Sequence, residues 1–390
     1  MSSPDMTEAE IAAVNQVLRT PYLSIGPQIE AFERAFARYV GAAAAVGVNS
    51  GTSGLHLCVI AAGVEAGDLV ITTPFSFIAS ANCILYERAM PIFVDVDPAT
   101  GNINPNLVAE AVCDLAHRRP SAARRLPRSL ANPKSKIQNP KSLLPVHAFG
   151  QPADMDPLLA IAREYDLTVI EDACEAIGAE YKGRKAGTLG QAAVFAFYPN
   201  KQMTTGEGGM IVTQDRDWAA LFRSLRNQGR DVFDAWLNHS RLGYNYRLDE
   251  MSAALGLAQL QRIETLLARR EQVALWYNER LAGLEWVERP TIVPTTTRMS
   301  WFVYVARIRP PVSRDQVLKQ LQAAGIPGRP YFTPIHLQPF YRRTFGYQRG
   351  DFPVTEYLGD VSLALPFSSV MTEEQVERVC EVLRSVKRET

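Results

Sequence analysis

Missing first is any pattern among the cysteines. Five of them, Cys58, Cys83, Cys113, Cys174 and Cys380, are scattered through 390 residues, odd in number and without a Cys-x-x-Cys pair. That argues against a disulfide framework and against a structural zinc site, and no metal is expected. An excess of charge is missing too: 41 Lys and Arg cancel 41 Asp and Glu, so nothing draws the whole chain toward nucleic acid or an acidic membrane. No run of about 18 apolar residues occurs. The opening "MSSPDMTEAEIAAV" has no basic segment followed by an apolar core, which leaves the cytoplasm as the expected location.

What is present is a soluble, globular composition, 47% hydrophobic and 21% charged, in a chain long enough for one large domain and a smaller one. Thr7 and Glu10 form a capping box for a first helix, and "PQIEAFERAFARYVG" has helical spacing up to Gly41. "AAVGVNS", "DLVITTP", "PIFVDVD", "LLPVHAF", "LTVIEDA", "AVFAFYP" and "GMIVTQD" are short apolar or β-branched runs, most of them separated by helical periods. The alternation predicts an α/β fold with a mostly parallel sheet covered on both faces. Ligands of such sheets collect at the carboxyl ends of the strands.

From about residue 250 the pattern changes. "LDEMSAALGLAQLQRIETLLARREQVALWYNERLAGL" reads as one long helix. A strand "WFVYVARI" and two helices follow, which predicts a large α/β domain over 1–254 and a small C-terminal α+β domain over 255–390. Between Arg118 and Lys141 stand eight Lys or Arg and no acid. This stretch is read as a solvated basic insertion loop; a nucleic-acid patch is the alternative, without the aromatic interleaving such a surface uses.

Three places can carry chemistry. "VGVNSGTSGLHL" runs from a strand through Gly51 and Thr52 straight into a helix, which offers free backbone N–H groups to a phosphate; a tight turn with no ligand would look the same. Its spacing is neither Gly-x-Gly-x-x-Gly nor a Walker loop. Asp172 closes the apolar strand "LTVIEDA", where a carboxylate needs a cation, donors or a helix to cap. Lys201, 29 residues on, stands just past another strand and before the glycine-rich "TTGEGG". An amine and an acid at neighbouring strand ends, opposite a phosphate seat, match what pyridoxal 5'-phosphate requires.

In order along nearly the whole chain, "NSGTSGLHL", "TTPFSFIASAN", "PVHAFGQPADMDPL", "EDACEAIGAEYKGRKAGTLG", "FYPNKQMTTGEGGMI", "YNYRLDEMSAALGLAQL" and "LALPFSSVMTEEQ" resemble the DegT/StrS-type sugar aminotransferases. The resemblance implies a type I aminotransferase fold, pyridoxal phosphate, and a homodimer with shared active sites. It makes Lys201 the Schiff-base lysine and Asp172 the partner of the ring nitrogen. Gly51 and Thr52 would seat the phosphate, Phe77 would stack on the ring, and Asn245 would reach the phosphate in the neighbouring subunit. Glu175 stands where many relatives have Gln or His beside the cofactor's phenolic oxygen. Ala196 stands nearest a place where the family often has a phosphate-binding Ser, and Thr204, Thr205 or water are the substitutes to look for.

Relatives that dehydrate sugars carry His at the Schiff-base position, so Lys201 implies amino transfer. By family habit the donor is L-glutamate and the acceptor a keto group of a nucleotide-linked deoxysugar, with Arg247 and His336 as candidate substrate contacts. A free keto cyclitol as acceptor, or a non-enzymatic regulator, are the alternatives. A nicotinamide-dependent oxidoreductase is disfavoured by the absent glycine fingerprint.

Overall fold

The computed structural model describes residues 2–128, 140–231 and 238–386. Two helices, α1 (Glu8–Leu18) and α2 (Pro27–Val40), lead into β1 (Ala44–Val48), α3 (Gly51–Ala61), β2 (Leu69–Thr72), α4 (Ala79–Tyr86) and β3 (Met90–Phe93). There follow α5 (Pro105–Ala116), α6 (Ala122–Arg125), β4 (Pro140–Leu143), α7 (Met155–Glu164) and β5 (Thr168–Asp172). A small hairpin, β6 (Glu180–Tyr181) and β7 (Arg184–Lys185), precedes β8 (Ala192–Ala196), β9 (Gly209–Thr213) and α8 (Arg216–Arg226). The chain continues through α9 (Glu250–Gln261), α10 (Ile263–Leu281), β10 (Val287–Glu288), β11 (Thr296–Arg298), β12 (Tyr304–Ile308) and α11 (Arg314–Ala323). It closes with β13 (Arg329–Pro330), α12 (Pro339–Phe345), α13 (Pro353–Val361), β14 (Ser362–Leu365) and α14 (Glu373–Arg384).

Six of the seven runs expected as strands, with a fourth strand that lies upstream of its expected run "LLPVHAF" and shares only Leu143 with it, form one seven-stranded sheet in the order β1-β9-β8-β5-β4-β2-β3. All pairings are parallel except those of β9, which lies antiparallel to both β1 and β8. β1, β2, β4, β5 and β8 therefore end on one edge of the sheet. The strands are buried along almost their whole length, because helices cover both faces, and this is why they read as continuous apolar runs. Phe32, Phe36, Phe195 and Phe197 pack on one face; Leu55, Cys58, Phe222 and Ile211 pack on the other.

A second sheet, β10-β12-β14-β13, is four-stranded and antiparallel and packs against α10, α11 and α14. A three-stranded sheet joins β11 to the β6–β7 hairpin, which stitches the last third of the chain onto the first sheet. The long helix expected from residue 248 is two helices. The backbone breaks at Arg262 (φ −115°), whose guanidinium is held by Asp5 and lies 3.5 Å from Glu10. The position 254/255 falls inside α9, which packs on α1 and α2.

Of the basic stretch 118–141, residues 129–139 lie outside the described residues. In the described part Arg118, Arg119, Arg124 and Lys141 are exposed, whereas two arginines are engaged. Arg125 pairs with Glu110 and Asp114, and Arg128 makes a two-pronged bond to Asp351 at 2.6 and 2.7 Å.

Candidate active site

The carboxyl edge of the large sheet gathers the candidate residues. β1 hands over to α3 at Ser50, whose Oγ accepts from Ser53 N–H at 3.1 Å. The N–H groups of Gly51 and Thr52 start α3 and have no carbonyl of their own helix to meet. Gly51 is fixed by space rather than by backbone angle: a Cβ there would stand 2.8 Å from Ala196 Cβ and 3.0 Å from Cys174 Sγ. The helix start is thus pressed directly onto the ends of β8 and β5.

Asp172 ends β5 and is 6% exposed. One carboxylate oxygen accepts from Ser80 Oγ at 2.7 Å and the other from Cys174 N–H at 3.2 Å. Ser80 lies in the first turn of α4 and shares a 2.8 Å hydrogen bond with Ser76. Two aromatic residues of the same segment part ways. Phe75 is buried against Phe149 and Phe332, whereas Phe77 is 64% exposed, so it is no core residue and its ring is free for a ligand.

Lys201 follows β8 on a loop closed by Phe197 N–H to Gly208 O and Thr205 N–H to Phe197 O, each at 3.0 Å. Its side chain is 14% exposed; Nζ lies 3.5 Å from Glu175 Oε1 and 4.0 Å from the centre of the Phe302 ring. Glu175 Oε2 accepts from Phe149 N–H at 2.9 Å. Burial holds the Glu175 carboxyl above the usual carboxylate range; the charge of Lys201 and the Phe149 N–H oppose this, while the charge of Asp172 adds to it.

The hydroxyls expected to replace a serine at Ala196 are committed elsewhere. Thr204 Oγ1 donates to Phe197 O at 2.9 Å and accepts from Gly206 N–H, and Thr205 Oγ1 donates to Glu207 O. Asn245 is exposed, and its carbonyl accepts from Asn49 Nδ2 at 3.5 Å, two residues before Gly51. Arg247 donates to Asn227 Oδ1 at 3.2 Å. His336 differs from its expectation as a substrate contact. It is fully buried, with Nε2 3.0 Å from Glu356 and its ring against Phe352. It makes no hydrogen bond or ring contact with Lys201, Asp172 or Glu175; burial holds it below the ordinary value, the Glu356 carboxylate opposing.

Several participants escaped the sequence reading. Ser80 stands one helical turn after Phe77, a spacing that could have singled it out. Phe302, Ser300 and Gln202 had no local signal. Gln202 Nε2 donates to Glu175 O and to Ser300 Oγ at 2.6 and 2.8 Å, across almost a hundred residues of chain. Among the described residues no group of three or more His, Cys, Asp or Glu is placed to hold a metal ion, and no helix is long and apolar enough to cross a membrane.

Similarity to known proteins runs along nearly the whole chain. The family model described as the DegT/DnrJ/EryC1/StrS aminotransferase family matches residues 4–384. GDP-perosamine synthase of Caulobacter vibrioides is 40% identical over 99% of this chain and 97% of its own. The spore coat polysaccharide biosynthesis protein SpsC of Bacillus subtilis is 34% identical, covering 99% and 96%. Among solved structures, a DegT DnrJ EryC1 StrS aminotransferase from Brucella abortus superposes with a TM-score of 0.86 at 29% identity, over 97% of this chain and 95% of that one.

Proposed function

The chain belongs to the DegT/DnrJ/EryC1/StrS aminotransferase family, whose members are pyridoxal phosphate-dependent sugar aminotransferases, and from that premise we propose that it moves an amino group from L-glutamate to a keto group of a nucleotide-linked deoxysugar. The observation that carries this reading is the meeting of three groups on one sheet edge. They are the Lys201 amine, the buried Asp172 carboxylate with its Ser80 donor, and the bare helix start at Gly51.

These residues fit the cofactor. The N–H groups of Gly51 and Thr52, at the positive end of α3, bind a phosphate dianion. Asp172, whose oxygens accept from Ser80 Oγ and Cys174 N–H, would be the partner of the pyridine nitrogen. Pyridoxal phosphate, when bound, supplies the electron sink that lets an amino group leave one carbon and enter another. Lys201 Nζ would be the amine that holds the group and the base that moves a proton at the donor's carbon. The Phe302 ring covers one side of Nζ, 4.0 Å away. Phe77 offers an exposed face for stacking. Glu175, whose carboxyl burial raises above the usual carboxylate range, lies 3.5 Å from Nζ, where it would stand beside the cofactor's phenolic oxygen.

The nucleotide-linked acceptor is supported by the named activity of the Caulobacter relative and by the polysaccharide role in the name of the Bacillus one. Asn245, exposed beside the Gly51 turn, is assigned to the cofactor phosphate of a second subunit, which makes the working form a homodimer. Arg247 remains the candidate substrate contact on this side.

Borohydride reduction of the purified protein tests the first half: a pyridoxyl group should be found on the Lys201 peptide, and label on another lysine would overturn the assignment. Visible absorbance tests the second. It should be lost on adding glutamate and restored by a nucleotide-linked keto sugar, far faster than by the free sugar, because the nucleotide supplies binding energy that orients the keto carbon. Equal or faster restoration by a free keto cyclitol would replace the substrate and leave the aminotransferase standing.

A further inference from the structure

Arg270, on α10, is 1% exposed, yet among the described residues no carboxylate lies within ion-pair distance of it. A buried guanidinium without a counter-ion is costly. Burial lowers its affinity for its proton, to about 10, below the ordinary guanidinium value. What it has instead is four main-chain carbonyls. Nη1 donates to Phe302 O at 3.0 Å and to Trp301 O at 3.3 Å; Nη2 donates to Lys201 O at 2.8 Å and to Asn200 O at 3.5 Å. The two pairs belong to segments a hundred residues apart.

These segments carry the two groups that meet at the amine. Lys201 supplies Nζ, and Phe302 supplies the ring 4.0 Å from it. A second link between the same segments runs from Gln202 Nε2 to Ser300 Oγ, and Ser300 Oγ donates onward to Ile177 O at 2.6 Å. That link holds the side of the loop next to Glu175. Arg270 holds the other side, and its rigid fork reaches both segments at once, which an ammonium on a flexible stem does not.

We propose that Arg270 is a positioning residue for the amino-transfer reaction: its guanidinium clamps the main chain of Lys201 to that of Phe302 and so sets the direction of the Lys201 amine. A lysine on a glycine-rich loop otherwise has freedom along both main chain and side chain, and that freedom is lost each time Nζ must meet a carbonyl. With the clamp in place the loss has occurred on folding. The hydrogen bonds of Arg270 all go to main chain.

The inference rests on the assignment of Lys201 as the linking amine, and the experiment separates the two. Two probes are titrated into cofactor-free protein: pyridoxal 5'-phosphate, which can link to an amine, and pyridoxine 5'-phosphate, which fills the same seat but has no carbonyl. The ratio of their affinities isolates the linking step. Wild type should favour the aldehyde strongly, and a wild type with no preference would sink the Lys201 assignment itself.

Arg270→Gln should bind pyridoxine phosphate within about twofold of wild type while its preference for pyridoxal phosphate falls at least tenfold. Arg270→Lys, which keeps the charge and fewer donors, should restore part of that preference. Hydrogen exchange of the cofactor-free Gln variant should rise in peptides covering 198–202 and 300–303. An unchanged affinity ratio, or equal losses for both probes, overturns the clamp and leaves Arg270 a general stabiliser. If the Gln variant does not fold, the Lys variant decides alone: a fall of threefold or more in the ratio supports the clamp, and an unchanged ratio overturns it.

Discussion

Gly51→Ala offers the sharpest test of how the phosphate seat is built. The new methyl would lie 2.8 Å from Ala196 Cβ and 3.0 Å from Cys174 Sγ, neither of which is the free end of a flexible chain. Either α3 moves away from the sheet edge or the ends of β5 and β8 spread. Overpacking of this kind costs about 1–3 kcal/mol. Alanine returns part of this, at most about 1 kcal/mol, through its helix propensity. The larger effect falls on the ligand, since a displaced helix start weakens hydrogen bonds to a charged phosphate that contribute about 1.5–3 kcal/mol each. Losing one of them corresponds to roughly a 10- to 100-fold weaker Kd. Fluorescence titration of cofactor-free protein with pyridoxine 5'-phosphate measures this without involving Lys201. Gly283→Ala is the control, because a Cβ at Gly283 meets nothing within 4 Å. Wild-type affinity in Gly51→Ala would refute the placement of the phosphate at this turn.

Three further outcomes follow from the same geometry. Ser80→Ala removes the 2.7 Å donor to Asp172, a hydrogen bond to a buried charge worth about 1.5–3 kcal/mol; cofactor affinity should drop about tenfold or more by absorbance titration, and an unaltered value would show that Asp172 does not depend on Ser80. Glu175 has its carboxyl raised above the ordinary 4.5 by burial, so the folded chain keeps a proton that the unfolded chain releases, and stability present below pH 4.5 is lost as the pH climbs through the folded value. Cofactor-free Glu175→Gln should therefore melt above wild type at pH 8 and level with it near pH 4.5; an equal gap at both would contradict the assignment. Mixing Asn245→Ala chains with Lys201→Ala chains should restore activity, because one site of each heterodimer is intact if Asn245 serves the partner, and no recovery despite proven subunit exchange would count against shared sites.

Legibility in the sequence followed the range of the interactions. Most strands of the large sheet announce themselves because they are buried on both faces and largely apolar, whereas β4, Pro140–Leu143, carries an exposed Lys141 and was hidden at the end of a basic stretch; Asp172 and Lys201 stand out because polar groups at the ends of apolar runs need a reason. Gly51 was visible as a turn, though not as a residue excluded from growth by Ala196 and Cys174. The split between α9 and α10 was hidden because apolar spacing continues straight across Arg262; the residues that hold Arg262, Asp5 and Glu10, lie at the other end of the chain. Phe302 and Arg270 look like an ordinary core aromatic and an ordinary helix arginine, and only the approach of residues 200–202 to 300–302 gives them meaning. His336 misled in the opposite direction. A histidine beside proline in a loop invites a role in binding, yet Glu356 and Phe352 bury it.

The pairing of β1 with β9 sets an order of events at the ribosome. Ala44 has Thr213 as its partner, and Val48 has Gly209. The strand that leads into the phosphate seat is thus among the first to be synthesised and cannot be paired until more than half of the chain has emerged. β2, β3 and β4, which follow it in the chain and pair with one another, can assemble meanwhile through shorter connections. Val46 and Val48, both fully buried in the finished sheet, stay without a partner strand throughout that interval. Segments of that kind are what chaperones hold during synthesis. A cofactor that needs Gly51, Asp172 and Lys201 together therefore has nothing to bind on the nascent chain until the antiparallel ninth strand slots between β1 and β8.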